Sequence, residues 1–207
     1  MTYTIGGLTL ADILFRWKVM ESRRHSRGED EIYVTDLLVC TERMSLRKKH
    51  PEVEVSDPLD PVTLEGDIVH KGVEVILRDM LGGIVDIETE VDVEARVGGY
   101  TLKGRIDMVV DGRVGVEVKH ARGDYGIPHE HHILQARIYK WMSKLDEFEL
   151  LYVTRDRAVS LPVHGSITEE DILRIISEGR LPKKSWVCEH CGYSFACPYK
   201  IPSKRRR

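Results

Sequence analysis

Gly104-Arg-Ile-Asp-Met-Val-Val-Asp-Gly-Arg-Val-Gly-Val-Glu-Val-Lys119 is the stretch from which the fold is read. Apolar and polar residues alternate on both sides of Asp111-Gly112, the pattern of two strands joined by a tight turn. Two registers compete. A two-residue turn at Asp111-Gly112 would set Asp107 against Val116 and Glu117 against Ile106, mixing polar and apolar groups on both faces. Shifting by one residue sets Asp107 against Glu117 and places Ile106, Met108 and Val110 opposite Val118, Val116 and Val114. Each apolar side chain contributes roughly 1.5 kcal/mol or more when buried, which outweighs a turn preference. The second register is therefore expected, with an odd-length loop or bulge near residues 111–113. The pattern that builds the core also brings two carboxylates together.

Working outward, residues 84–97 alternate and meet 100–110 through Gly98-Gly99, completing a three-stranded antiparallel meander. Residues 129–145 return to helical spacing through Leu134, Ile138 and Leu145. Residues 148–154 and 158–163 form a second strand pair, and Thr168 with Asp171 caps a last helix. Upstream, 62–81 is a helix containing Gly66 and His70, preceded by a turn at 57–61 and ended by Gly82-Gly83. An amphipathic helix is expected over 8–24, carrying Leu10, Ile13, Leu14, Trp17 and Met20. A charged loop follows, and then a helix from Thr35 that holds Leu37, Leu38, Cys40 and Met44. These elements predict an α/β class (α+β being the neighbouring option), a central mixed sheet flanked by helices.

The 207 residues (23.7 kDa) are 42% hydrophobic and 31% charged, enough for one full core. No run approaches the roughly 20 apolar residues that span a bilayer. The N-terminal MTYTIGGLTLADILF has no basic start and places Asp12 in its apolar run, unlike a signal peptide. A cytoplasmic protein with no membrane association is expected. Net charge −3 and pI near 6.3 exclude nucleic-acid binding by bulk charge, so any such site is local. The chain has no Asn and a single Gln, Gln135, beside abundant charge, which points to a heat-adapted source.

Opposed carboxylates repel unless neutralised. Lys119 could do this within an ordinary salt-bridge ladder. A divalent cation would do it better, since carboxylate oxygens suit Mg²⁺ and Mn²⁺. Glu117 and Lys119, two apart on a strand, share one face. Metal, water and ammonium would then converge as phosphodiester hydrolysis requires. Cys40 and the C-terminal Cys188-x-x-Cys191-x5-Cys197-Pro198 offer four thiolates, suited to zinc or an iron–sulfur cluster. Cys40 has no near partner for a second zinc knuckle, and either centre would staple the two ends of the chain. Trp186, Tyr193, Phe195 and Tyr199 could shield it or simply pack. Arg43, Arg47, Lys48 and Lys49, with Arg23, Arg24 and Arg27, are candidates for tracking a phosphate backbone, or an ordinary solvated face. His129, His131 and His132 are expected mainly to face solvent. No phosphate-binding G-x-x-x-x-G-K-[ST] loop of a motor is present.

Gly104-x-x-Asp107, Glu117-x-Lys119 and Gln135-x-x-x-Tyr139, with the upstream GDIVHKG around His70, resemble the RecB-type branch of the PD-(D/E)XK nucleases. With the split cysteines, nearly the whole chain is similar to the CRISPR-associated Cas-four family. The resemblance implies a restriction-endonuclease-like core over 61–180. It also implies an N-terminal helical segment, 1–60, contributing Cys40, and a cluster-binding segment with basic tail, 181–207. It implies metal binding by His70, Asp107, Glu117 and the carbonyl of Val118, with Lys119 catalytic and Gln135 and Tyr139 orienting substrate or Lys119. A histidine ligand tilts the choice toward Mn²⁺ over Mg²⁺. It further implies a 4Fe–4S or 2Fe–2S cluster on Cys40, Cys188, Cys191 and Cys197. The implied activity is 5′→3′ exonuclease action on single-stranded DNA, sometimes with endonuclease action. Its task would be preparing fragments for CRISPR spacer insertion alongside the integrase; a monomer and a homo-oligomeric ring both fit. The alternatives are a zinc-stapled, non-catalytic DNA-binding scaffold and a restriction-type endonuclease.

Overall fold

The computed structural model describes residues 4–23, 30–55 and 61–202. The expected turn before Pro61, Arg24, Arg27 and the tail at 204–207 lie outside them, as does the side chain of Arg23. The helices are α1 (Leu10–Arg23), α2 (Val34–Leu38), α3 (Glu42–Lys49), α4 (Pro61–Leu81), α5 (Glu130–Ser143), α6 (Glu169–Glu178) and α7 (Ser185–Glu189). The strands are β1 (Glu31–Tyr33), β2 (Ile87–Val97), β3 (Tyr100–Val110), β4 (Val114–Ala121), β5 (Glu147–Thr154) and β6 (Ala158–Pro162). No described helix is long and apolar enough to cross a membrane.

The strands make one six-stranded mixed sheet. β2 runs antiparallel along all of β3, from Ile87 opposite Val110 to Val97 opposite Tyr100. The other edge of β3 is divided: β1 pairs parallel with Thr101–Lys103, and β4 pairs antiparallel with Met108–Val110. β5 lies parallel to β4, which requires the crossover that α5 supplies, and β6 returns antiparallel to β5. α4 covers one face, where Val73 and Leu77 pack on Met108, Val116 and Val118. The larger core lies on the other face and joins Leu37, Leu102, Ile138, Phe148, Leu150 and Ile172.

The central hairpin has the expected register, with Met108 opposite Val116 and Val110 opposite Val114. Its loop is the odd-length Asp111-Gly112-Arg113, closed by the Arg113 amide on the Val110 carbonyl at 3.0 Å. Asp111 (φ 51°) and Gly112 (φ 62°) are both left-handed, the conformation that Asp-Gly accommodates. Two expectations fail at the next pair. Backbone pairing stops at Met108–Val116, so Asp107 and Glu117 sit where the strands part. Ile106 turns into the large core while Met108 faces α4, so the six-residue apolar face loses one member. Alternation breaks beside Asp107, level with Glu90 of β2, which is left-handed at φ 56° and interrupts that ladder too.

The helix expected from Thr35 is two helices, and Thr35 lies inside α2. The Thr41 amide donates to the Arg180 carbonyl at 2.9 Å and the Arg180 amide to Thr41 Oγ1 at 2.7 Å, which takes the backbone out of the helix at Cys40-Thr41. Residues 31–38, expected within the N-terminal helical segment, instead supply an edge of the sheet and part of the main core. The Thr168 cap stands as expected, its Oγ1 accepting from the Asp171 amide at 3.2 Å.

Candidate active site

The parting of β3 and β4 opens a gap that side chains, rather than the backbone, fill. The Val118 amide donates to Asp107 Oδ2 at 2.7 Å. His70, on the face of α4 toward the sheet, places Nδ1 3.3 Å from the same oxygen. Glu117 is 3% exposed, and its Oε1 accepts from Lys119 Nζ at 2.7 Å and Gln135 Nε2 at 2.6 Å. The Tyr139 hydroxyl lies 3.3 Å from that Gln135 nitrogen. The sequence motifs His70, Asp107, Glu117, Lys119, Gln135 and Tyr139 thus meet at the split hairpin. Gly104 has a steric role: a Cβ there would lie 2.3 Å from Tyr139 Cε1. Gln135 and Tyr139 are both buried; Gln135 holds the same Glu117 oxygen as Lys119, and Tyr139 lies behind Gln135. Arg105 donates to Asp92 Oδ1 at 2.7 Å and Glu90 Oε2 at 3.0 Å on β2.

Burial, with Asp107 adding repulsion, pushes the Glu117 carboxyl up to about 7, against the pull of Lys119. Burial opposes charge on His70, but its hydrogen bond and proximity to Asp107 outweigh that, and its affinity for a proton is raised. Burial also raises the Tyr139 hydroxyl, reinforced by Glu117, so it stays protonated. The second Glu117 oxygen, Oε2, is buried with no hydrogen-bond partner. An orphaned carboxylate oxygen beside an Asp and a His suits a hard divalent cation. Among the described residues, no three His, Cys, Asp or Glu side chains stand in ready-made metal geometry. The sequence reading passed over Glu74, one turn beyond His70 on the same helical face, where the i,i+4 spacing was the available signal. Glu74 is 4% exposed, with Oε2 3.0 Å from Lys71 Nζ and Oε1 unpartnered.

The four cysteines, all free thiols, line one cavity. Cys40 is positioned by the helix break, where the amides of Glu42 and Arg43 reach its sulfur; burial raises its thiol nonetheless. Cys191 and Cys197 pack beside Leu46, Val53 and the buried Tyr193. Of the expected shielding aromatics only Tyr193 is buried, while Trp186, Phe195 and Tyr199 are exposed. The thiol set suits a soft metal centre. The basic run on α3 does not form one outward stripe. Arg47 donates to the buried Asp36 at 2.9 Å and Arg43 lines the cysteine cavity, leaving Lys48 and Lys49 exposed.

The three histidines at the start of α5 are half-buried rather than solvent-facing, contrary to expectation. His132 Nδ1 lies 2.6 Å from the Tyr152 hydroxyl, and the His131 and His132 ring centres are 4.1 Å apart. Burial, helped by neighbouring cations, holds His131 down at about 4 and His132 at about 2, so both are neutral near pH 7.

The fold defined by this mixed sheet, with helices on both faces and a split hairpin at its centre, recurs among solved structures. The alkaline exonuclease LHK-Exo from Laribacter hongkongensis superposes with a TM-score of 0.50, covering 81% of this chain and 88% of that one, at 11% identity, a likeness of fold alone. The crystal structure of SSO0001 superposes with a TM-score of 0.83 at 32% identity, covering 93% of this chain and 98% of that one. In sequence, the CRISPR-associated exonuclease Cas4 of Saccharolobus solfataricus is 32% identical over 204 residues, covering 93% of this chain and 99% of the relative. No family model matches the sequence. The chain belongs to the CRISPR-associated exonuclease Cas4 family.

Proposed function

We propose that this protein is a divalent-metal-dependent deoxyribonuclease that degrades single-stranded DNA from its 5′ end. Its cytoplasmic task would be trimming fragments before their insertion as CRISPR spacers, with the integrase as partner. The observation that carries the reading is the buried, unpartnered Glu117 Oε2 beside Asp107 and His70 in a Cas4-family chain. The ligands assigned to the ion, Mn²⁺ or Mg²⁺, are His70, Asp107, Glu117 and the Val118 carbonyl; such an ion supplies water activation and phosphoryl polarisation.

The chain's own residues do the rest. Val118 fixes Asp107 through its amide, and Gln135 holds Glu117 by one oxygen, leaving the other to face the ion. Lys119 offers its ammonium to charge developing on the phosphoryl oxygens. The cysteine lobe is assigned an iron–sulfur cluster on Cys40, Cys188, Cys191 and Cys197, which ties α3 to the C-terminal segment.

The test is cleavage of a 3′-labelled linear single strand and a closed single-stranded circle in Mn²⁺. Progressive shortening from the 5′ end with an intact circle is expected. Equal cutting of the circle would overturn the exonuclease assignment in favour of an endonuclease.

A further inference from the structure

A cavity of about 200 Å³ adjoins the acid site and is lined by Trp17, His70, Lys71 and Arg105 with the carboxylates of Asp67, Glu90 and Asp107. Trp17 comes from α1, a helix whose apolar stripe is not spent on the core: Leu10 is 59% and Met20 63% exposed, and Ile13 and Leu14 are also exposed. Of that stripe, Trp17 is the residue that lines the cavity. α1 is started by a reciprocal cap, Thr9 with Asp12, and Lys18 pairs with Asp67 of α4 next to Trp17. The helix therefore presents an indole to the acid site while burying little else.

The cavity's cations are committed to carboxylates. Lys71 Nζ sits 3.0 Å from Glu74 Oε2 and 2.6 Å from Glu90 Oε1, and Arg105 is shared between Glu90 and Asp92. Such a space does not favour a second phosphate. It favours a flat, uncharged group with a π-face, and a nucleobase of single-stranded DNA is that group.

We propose that Trp17 is the stacking platform of the nuclease site: the base next to the scissile phosphodiester lies on its indole while the phosphate faces His70 and Asp107. Stacking reads no base edge, so this contact selects an unpaired base without selecting its identity. The inference rests on the nuclease reading above.

The test uses single-stranded oligodeoxynucleotides in Mn²⁺, with the nucleotides at both ends either intact or abasic. Wild-type protein is expected to prefer intact ends by about five- to a hundredfold in kcat/KM, the range that loss of one base stack gives. Trp17→Leu should bring that ratio to near one while abasic ends are still degraded, and Trp17→Phe should keep most of it. No discrimination by the wild type, or a wild-type ratio in Trp17→Leu, overturns the inference and leaves the nuclease reading standing. A wild type that cleaves neither substrate overturns both.

Discussion

Gly104→Ala puts one methyl group against the second layer of the acid site. The new Cβ would stand 2.3 Å from Tyr139 Cε1 and 3.2 Å from Cδ1 and Cζ. The ring is 3% exposed and cannot swing into solvent to make room. Overpacking of this kind costs about 1–3 kcal/mol. At about 2–4 °C per kcal/mol for a domain of this size, Tm should fall by about 2–12 °C. The Tyr139 hydroxyl lies 3.3 Å from the Gln135 nitrogen that holds Glu117, so cleavage should fall along with stability. A double-mutant cycle with Tyr139→Ala, read by chemical denaturation, separates cause from coincidence. In that background the methyl meets space, and Gly104→Ala should cost less than about 0.5 kcal/mol. An equal cost in both backgrounds would refute the steric account.

Other consequences are read in different assays. Folding lifts the Glu117 carboxyl from its usual 4.5 to about 7. The folded state then holds a proton that the unfolded state has lost between those pH values, so metal-free stability should fall as pH rises through that window. Mn²⁺ takes the place of that proton, so it should raise Tm more at pH 8 than at pH 5.5; an equal gain at both would count against Glu117 as a ligand. With the proposed cluster bound, purified protein should absorb visible light and Cys40→Ala should bleach it, whereas a colourless protein with bound zinc would replace the cluster with a zinc staple. Thr168→Ala removes the cap of α6 and should cost about 0.5–2 kcal/mol in thermal unfolding without altering cleavage.

The meander, the hairpin register and the helix bearing Gln135 were legible because alternation and helical spacing fix which side chains can share a core. The same pattern said that Asp107 and Glu117 would approach each other. It could not say that the strands part there, level with a left-handed Glu90 on the neighbouring strand. β1 escaped notice because three residues carry too little pattern, and the break at Cys40 because its cause, Arg180, lies far along the chain. Arg47 reads as a surface cation, yet it bonds the buried Asp36, and Trp17 reads as one of an apolar stripe whose other members stand in solvent. The break at Cys40 belongs to a contact between segments distant in sequence.

The decisive measurement is Mn²⁺-dependent degradation of single-stranded DNA by Asp107→Ala and Lys119→Ala beside the wild type, with circular dichroism confirming that each variant folds. Loss of one charged participant from a preorganised site should slow cleavage on the order of 10²–10³-fold in each. Wild-type rates in both variants would mean that the split hairpin is not where DNA is cut.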